Sequence, residues 1–223
     1  MRPQNRNYIE QLNLLASDIG NPSSTSQRAD SEAFIRKSFA AAHGADIQHF
    51  MPILLCLRDR FCQPRAALGL RPAQNTPLFL EHYLESPVEA VLSDAFQQPV
   101  NRRGIVEVGN LAVGEKGEVR SLILAMTAFL YAADYQWVVF TIGPILINSF
   151  ARLGLPLTDL GPARIEHLPL EERDNWGSYY QQAPRVMAGR VSDAHDFLMQ
   201  YQIQETATQT LWQQAERVGR LAA

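Results

Sequence analysis

The sequence predicts an α/β (α+β) chain built on a mixed, largely antiparallel sheet flanked by helices. Three observations lead there. From residue 51 onward, short apolar runs of strand length alternate with longer stretches of helical spacing. Met51 to Leu57 and Arg65 to Arg71 are separated only by the polar stretch Arg58 to Pro64, so they predict an antiparallel hairpin. Further on, the order strand, helix, strand, helix, strand implies a parallel crossover inside the same sheet.

Taken in order, residues 17–31 are a polar, small-residue stretch that cannot bury a face and are expected to be a loop. Ser31 then suits an N-cap for a helix carrying Phe34, Ile35, Phe39 and Ala42, with Gly44 as its stop. After the hairpin, two helical stretches follow at 78–84 and 87–96, the second with Pro87 in its first turn. Residues 104–113 are β-rich, and Gly109 inside them marks a bulge or a close approach by another backbone. A helix over 118–133, a strand over 137–141 and a helix over 145–153 ended by Gly154 complete the crossover. Residues 157–160 form a short extended piece, and 165–168 with 184–191 are expected to pair and finish the sheet. The glutamine-rich tail reads as helix held by packing. The expected organisation is an N-terminal arm over 1–30, one domain over 31–191 and a helical extension over 192–223.

Composition narrows the function classes. Of 223 residues, 46% are apolar and 19% charged, enough for a large core. Twenty basic against twenty-three acidic residues leave a net charge of -3, so no global field holds a polyanion and nucleic-acid binding is disfavoured. The polar start, Met1 to Tyr8, does not read as a secretory signal, and the longest apolar stretch, Leu122 to Ala133, is well short of the ~20 residues that span a bilayer. A cytoplasmic location without membrane insertion is the expectation. Cys56 and Cys62 form no CxxC pair and the five histidines are scattered, so no metal site is expected. No G-x-S-x-G elbow occurs.

Ile105-Val-Glu-Val-Gly-Asn-Leu-Ala-Val113, the helix after it, Trp137-Val-Val-Phe-Thr141 and Asn148-Ser-Phe-Ala-Arg-Leu-Gly-Leu155 together resemble the thermostable hemolysin family. The likeness extends over Met51 to Val191, taking in Pro77-Leu-Phe-Leu-Glu-His-Tyr-Leu84 and Trp176-Gly-Ser-Tyr-Tyr180. The same core is similar to the GNAT acyltransferase fold, and within it to the acyl-homoserine-lactone synthases, which share a Glu-x-x-Arg strand motif, a following helix and a strand ending in Thr. The resemblance implies a GNAT-like sheet whose parallel strands, here 105–113 and 137–141, splay apart. The pantetheine arm of an acyl-carrier protein or of acyl-CoA lies in that gap, against Leu111, Val113, Gly117, Val119 and Arg120. Two departures stand out. The phosphate loop reads Gly114-Glu-Lys-Gly-Glu-Val-Arg120, with Glu115 and Glu118 at a helix start where a pyrophosphate is repelled. Phe150 stands where many GNAT enzymes carry a Tyr that protonates the leaving thiolate.

Glu107 is the catalytic candidate: a carboxylate in mid-strand among Ile, Val and Val, matching the Glu of the synthase motif and suited to take a proton from an attacking amine. The competing reading is a strand Glu facing solvent. Asn110 replaces the motif's Arg. Arg71 is either a partner of Glu107, a binder of an acceptor carboxylate, or a solvated strand-end cation. Thr141 is placed to bond an acyl carbonyl and Asn148 the cleft backbone, or each is a plain cap. Trp176, Tyr179 and Tyr180 either wall an acyl tunnel or belong to the core. The functions in view are acyl transfer from a thioester to a small nucleophile, with an amine as the expected one, against a hemolysin-like membrane-active protein or a non-catalytic acyl-binding protein.

Overall fold

The computed structural model describes residues 12–18, 25–74, 76–115 and 117–222. Most of the expected N-terminal arm, residues 1–11 and 19–24, lies outside them. Among the described residues seven strands form one sheet in the order β1-β2-β3-β4-β5-β7-β6. They are β1 (Asn13–Asp18), β2 (Ile53–Arg58), β3 (Pro64–Pro72), β4 (Ile105–Val113), β5 (Trp137–Ile142), β6 (Thr158–Pro162) and β7 (Arg185–Arg190). The helices are α1 (Thr25–His43), α2 (Val88–Phe96), α3 (Glu118–Ala132), α4 (Pro144–Arg152), the single turn α5 (Leu170–Arg173), α6 (Val191–Tyr201) and α7 (Thr206–Arg220). Every strand pairing is antiparallel except β4 with β5.

Several local expectations are corrected. Ser17 and Asp18 belong to β1, an edge strand paired with β2 through buried Leu14, and α1 starts at Thr25 rather than at Ser31. Ser31 is a buried residue inside α1 whose hydroxyl donates to the Gln27 carbonyl one turn back, so its hydrogen-bonding power serves the helix interior instead of a cap. The first helical stretch after the hairpin is a 3-10 helix, Phe79–Tyr83, and Pro87 is the N-cap of α2. Ile165–His167 is a turn of 3-10 helix, not a strand. The partner of β7 is β6, with Asp159 opposite Met187.

The two faces of the sheet bury different things. Helices α3, α6 and α7 cover one face, where Val106, Val108, Val138, Phe140 and Met187 point. Helix α3 is sandwiched there, so Leu122 to Leu130 are buried on every side and the run needs no polar face. The opposite face is divided. Ile105, Trp137, Val139 and Ala188 meet Leu78, Leu80, Tyr83 and α2. Cys56, Ala67 and Ala112 meet Ile35 and Phe39 of α1. Trp176 packs against both of these half-cores.

The β4–β5 ladder is short. It runs from Ile105 opposite Trp137 to Val108 opposite Phe140 and stops. Beyond that, β4 continues to Val113 on β3 alone, and β5 continues through Thr141 and Ile142 on β7 alone. The two strands therefore fork. The irregularity in β4 falls at Asn110, which adopts a left-handed φ of 49° where the register against β3 shifts. Gly109 has another role: the Met51 side chain crosses the sheet over Gly69 and Gly109, and a Cβ built on either would come within 2.5 Å of it.

The two glycines differ in what their neighbour can give. At Gly69 the obstructing atoms are the Met51 Cβ and Cγ, at Gly109 the mobile Cε tip. Gly69→Ala is expected to cost ~1–3 kcal/mol and Gly109→Ala clearly less, read from urea unfolding midpoints. Equal losses would show that Met51 does not occupy this position.

Candidate active site

Glu107 lies one residue before the fork and is 3% exposed. A carboxylate so placed needs donors, and two backbone amides supply them: Phe79 N–H donates to Oε2 at 2.8 Å and Leu80 N–H to Oε1 at 2.9 Å. Both come from the first turn of the 3-10 helix. Burial pushes the Glu107 carboxyl above its ordinary range, opposed by those two amides and by the charge of Arg71. Arg71 is the direct cross-strand partner of Glu107, so both side chains leave the sheet on one face. Among the described residues the half-exposed guanidinium makes no hydrogen bond or ion pair, and the carboxylate oxygens are taken up by the 3-10 helix instead. Each oxygen keeps a second lone pair.

The turn that carries the two amides is itself locked. Glu81 accepts from the Leu78 and Val88 amides and from Arg102, which also reaches Glu89 and the Ala73 carbonyl. Burial works to raise the Glu81 carboxyl, but the guanidinium and the amides outweigh it and hold it at about 2.

Asn110 does not take the place of an arginine. Its Oδ1 accepts the Met51 amide at 2.8 Å, tying the bulge to the chain that enters β2. Thr141 stands on the other lip of the fork, and its hydroxyl is buried without a partner. Its carbonyl accepts the Tyr179 hydroxyl at 2.9 Å. Tyr180, next in sequence, shares a short hydroxyl-to-hydroxyl hydrogen bond with Tyr83 of the 3-10 helix. Residues 176–180 thus form a strap joined to both sides of the fork, and Trp176 fills it by touching Phe39 and Phe79. These aromatics sit in short 3-10 turns on the Glu107 face rather than on a closing strand. Burial raises the Tyr179 hydroxyl above its ordinary range and lifts Tyr180 to about 12.

The remaining candidates separate. Asn148 is exposed on α4, and its side chain makes no hydrogen bond among the described residues. Leu111, Val113 and Val119 are half-buried against the α3 core beside the fork. Gly117 is the exposed N-cap of α3. Arg120 reaches the Gln202 carbonyl and side chain between α6 and α7. In the loop between β4 and α3 the protein's own groups take the donors: Gly114 N–H donates to the Arg65 carbonyl and Glu115 N–H to Glu118 Oε2. Arg65 balances the two carboxylates, bonding Glu118 at 2.8 Å and Glu115 at 2.9 Å. Phe150 is buried and stacked on Phe140.

Sequence reasoning singled out Glu107 and Arg71 but not the donors that hold Glu107, because backbone amides carry no residue signature. Tyr83 lies in the quoted Pro77 to Leu84 segment, yet nothing local points it at Tyr180, 97 positions away.

A family model described as thermostable hemolysin matches residues 21–195. The chain belongs to the thermostable hemolysin family. No curated protein sequence matches it. Among solved structures, this family member is similar to FeeM, an N-acyl amino acid synthase from uncultured soil microbes: 16% identity, TM-score 0.54, covering 85% of this chain and 97% of that one. It is also similar to BjaI, a CoA-dependent acyl-homoserine lactone synthase solved with SAM and isopentyl-CoA: 14% identity, TM-score 0.58, 90% and 98% covered. The acyl-homoserine lactone synthase LasI matches at 12% identity, TM-score 0.52, over 81% and 90%. The fold is that of GNAT-like acyltransferases, with one parallel pair in a mostly antiparallel sheet. Among the described residues no helix is long and apolar enough to cross a membrane, and no group of three or more His, Cys, Asp or Glu is placed to hold a metal ion.

The Glu81–Arg102 lock sets an acid sensitivity. A carboxyl held at about 2 when folded against 4.5 when free stabilises the fold fully above the higher value, and the stabilisation disappears as pH falls toward the lower. Glu81→Gln is expected to cost about 2 kcal/mol near neutral pH and to flatten the loss of stability on acidification, measured by urea unfolding at near-neutral and acid pH. An unchanged acid profile would place that loss elsewhere.

Proposed function

We propose that the protein transfers an acyl group from a thioester to the amine of a small acceptor, with Glu107 as the base. The observation that carries this reading is a buried carboxylate one residue before the point where two parallel strands separate. The fork leaves 109–113 and 141–142 without ladder bonds to each other, and such edges suit a pantetheine arm lying as an extra strand. The unpartnered Thr141 hydroxyl fits a donor to the thioester carbonyl. The chemistry balances simply. The amine nitrogen attacks the thioester carbon, the C–S bond breaks, the nitrogen's proton passes to Glu107, and the departing thiolate takes a proton from solvent, to which Glu107 returns the one it accepted. With Phe150 in place of a hydroxyl-bearing residue, the thiolate leaves without a tyrosine acid.

Arg71 narrows the acceptor. A guanidinium without a bonded partner among the described residues, across the strand from the base, suits the carboxylate of an amino acid whose amine faces Glu107. That FeeM is an N-acyl amino acid synthase on the same fold agrees with this reading. The donor reading follows from the loop before α3. With the Gly114 and Glu115 amides already bonded and Glu118 buried beside them, a single phosphodiester on an acyl-carrier protein is better suited than the pyrophosphate of coenzyme A.

The test is release of free thiol from acyl-carrier protein or acyl-CoA in the presence of an amino-acid pool, with mass spectrometry of the product. Glu107→Gln is expected to lower the rate by about 10²–10⁴-fold, and the wild-type rate to rise with pH through a carboxyl titration above the ordinary range. Thiol release unchanged in Glu107→Gln would remove Glu107 as base. Arg71→Ala is expected to abolish the preference for an amino acid over its decarboxylated amine. No thiol from any donor would end the transfer reading.

A further inference from the structure

The aromatic strap and Glu107 occupy one face of the sheet, and a cavity of about 390 Å³ lies toward the other. Met126 and Thr127 of α3, Val138 of β5 and Phe150 of α4 line it, and Phe197 of α6 and Gly154 border it. The lining is mostly apolar. The polar lining is Thr127, whose hydroxyl is bonded to the Ile123 carbonyl, Thr158, and Arg190 and Asp193, which pair with each other at 4.0 Å. The Phe197 ring lies directly over Gly154, where a Cβ would come within 2.4 Å of it. Gly154 has a left-handed φ of 79°, so the backbone and the absent side chain together fix where the ring rests.

Strand β5 separates the two faces, and the fork is where its partner β4 leaves it. Thr141 and Glu107 belong to the acceptor side, whereas Val138 and Phe140 point to the helical side. We propose that this cavity takes the alkyl chain of the acyl donor, and that the Phe197 ring on Gly154 sets the chain length by closing one end. The proposal rests on the acyl-transfer reading for its ligand, and on geometry for its length. A chain whose carbonyl sits at Thr141 has to enter through the fork and displace the stacked Phe140 and Phe150 rings, three residues along β5 or about 10 Å, before it reaches Val138. A butanoyl group ends short of that point. A dodecanoyl group enters, and at roughly 30 Å³ per methylene, the share of a water molecule in the liquid, the cavity has room for on the order of ten carbons.

The measurement is kcat/KM for butanoyl, octanoyl and dodecanoyl thioesters on one carrier, followed by thiol release. Each methylene that enters the cavity is expected to raise it by up to about fourfold, with at least a tenfold rise from octanoyl to dodecanoyl. Ala194→Phe, which projects a ring into the cavity from α6, is expected to lower the dodecanoyl-to-butanoyl ratio at least tenfold, and Phe197→Ala to move the optimum to longer chains. A flat chain-length profile, or one unmoved by both variants, would overturn the proposal while leaving acyl transfer standing. A second measurement needs no catalysis and no variant: displacement of a fluorescent fatty acid from the wild-type protein by dodecanoic and by butanoic acid. Dodecanoic acid displacing at least tenfold better, with no thiol release from any donor, would uphold the cavity and sink the transfer reading. Equal displacement by the two acids would overturn the cavity.

Discussion

A carboxylate in the middle of a sheet must be given hydrogen bonds, and the way Glu107 receives them organises everything on its face. Its two donors are consecutive amides, Phe79 and Leu80, which an ordinary helix interior does not offer because its amides are already bonded to preceding carbonyls. Only a segment starting its first turn over the acid can present both. The 3-10 helix is therefore held with its N-terminal end on Glu107, and Glu81 and Arg102 fasten it from the solvent side. The same turn projects Tyr83 toward the strap. One buried charge thus determines where the cap sits, and the cap determines which part of the sheet is reachable.

The fork follows from a different economy. Strand β4 has to leave β5 while keeping β3, and the bulge at Asn110 supplies the extra residue and twist that allow it. Asparagine tolerates the left-handed backbone, and its side chain then bonds the Met51 amide, so the departure is fixed to the neighbouring layer. Met51 lies across Gly69 and Gly109 because neither has a side chain to exclude it. The lip on β5 is held through Thr141 and Tyr179. Both edges of the gap are therefore set by contacts outside the sheet, which lets the gap exist without a ladder to define its width.

How much of this was legible depends on range. The hairpin, the strands at 105–113 and 137–142, and the long apolar helix α3 declare themselves through local periodicity, and all were readable. Strand β1 was not, because an edge strand of six residues whose buried side chains are Leu14 and Ser17 carries no apolar alternation, and the polar residues after it dominate the window. The start of α1 was missed for a similar reason: Ser31 looks like a cap, but Arg28 bonds the Met51 and Pro52 carbonyls and the preceding turn is held by tertiary contacts. Gly109 reads as a bulge or a close approach by another backbone: the bulge falls one residue on, at Asn110, and what comes close to Gly109 is the Met51 side chain. At the site, Glu107 and Arg71 were legible because a charge in an apolar strand is conspicuous. Tyr83 with Tyr180, and Phe197 over Gly154, join residues far apart in sequence, and only the fold brings them together.

The sheet also works as a partition. An acyl-transfer site must hold an ionisable base and a charged acceptor near a long apolar chain, and putting both on one side would either hydrate the chain's pocket or strip water from the charges. Here the polar groups, Glu107, Arg71 and the tyrosine hydroxyls, stand on the face divided between two half-cores, and the apolar cavity lies toward the face covered by α3, α4 and α6. The layer between them is one strand thick, and the fork is where it opens. Strand β5 shows the division residue by residue: Val138, Phe140 and Ile142 turn to the helices, whereas Val139 and, by alternation, Thr141 turn to the strap. On the proposed reading, a thioester carbonyl at Thr141 would have its tail and its attacking nucleophile on opposite sides of the same strand, and the period-2 geometry of a β-strand is enough to keep two such sides apart.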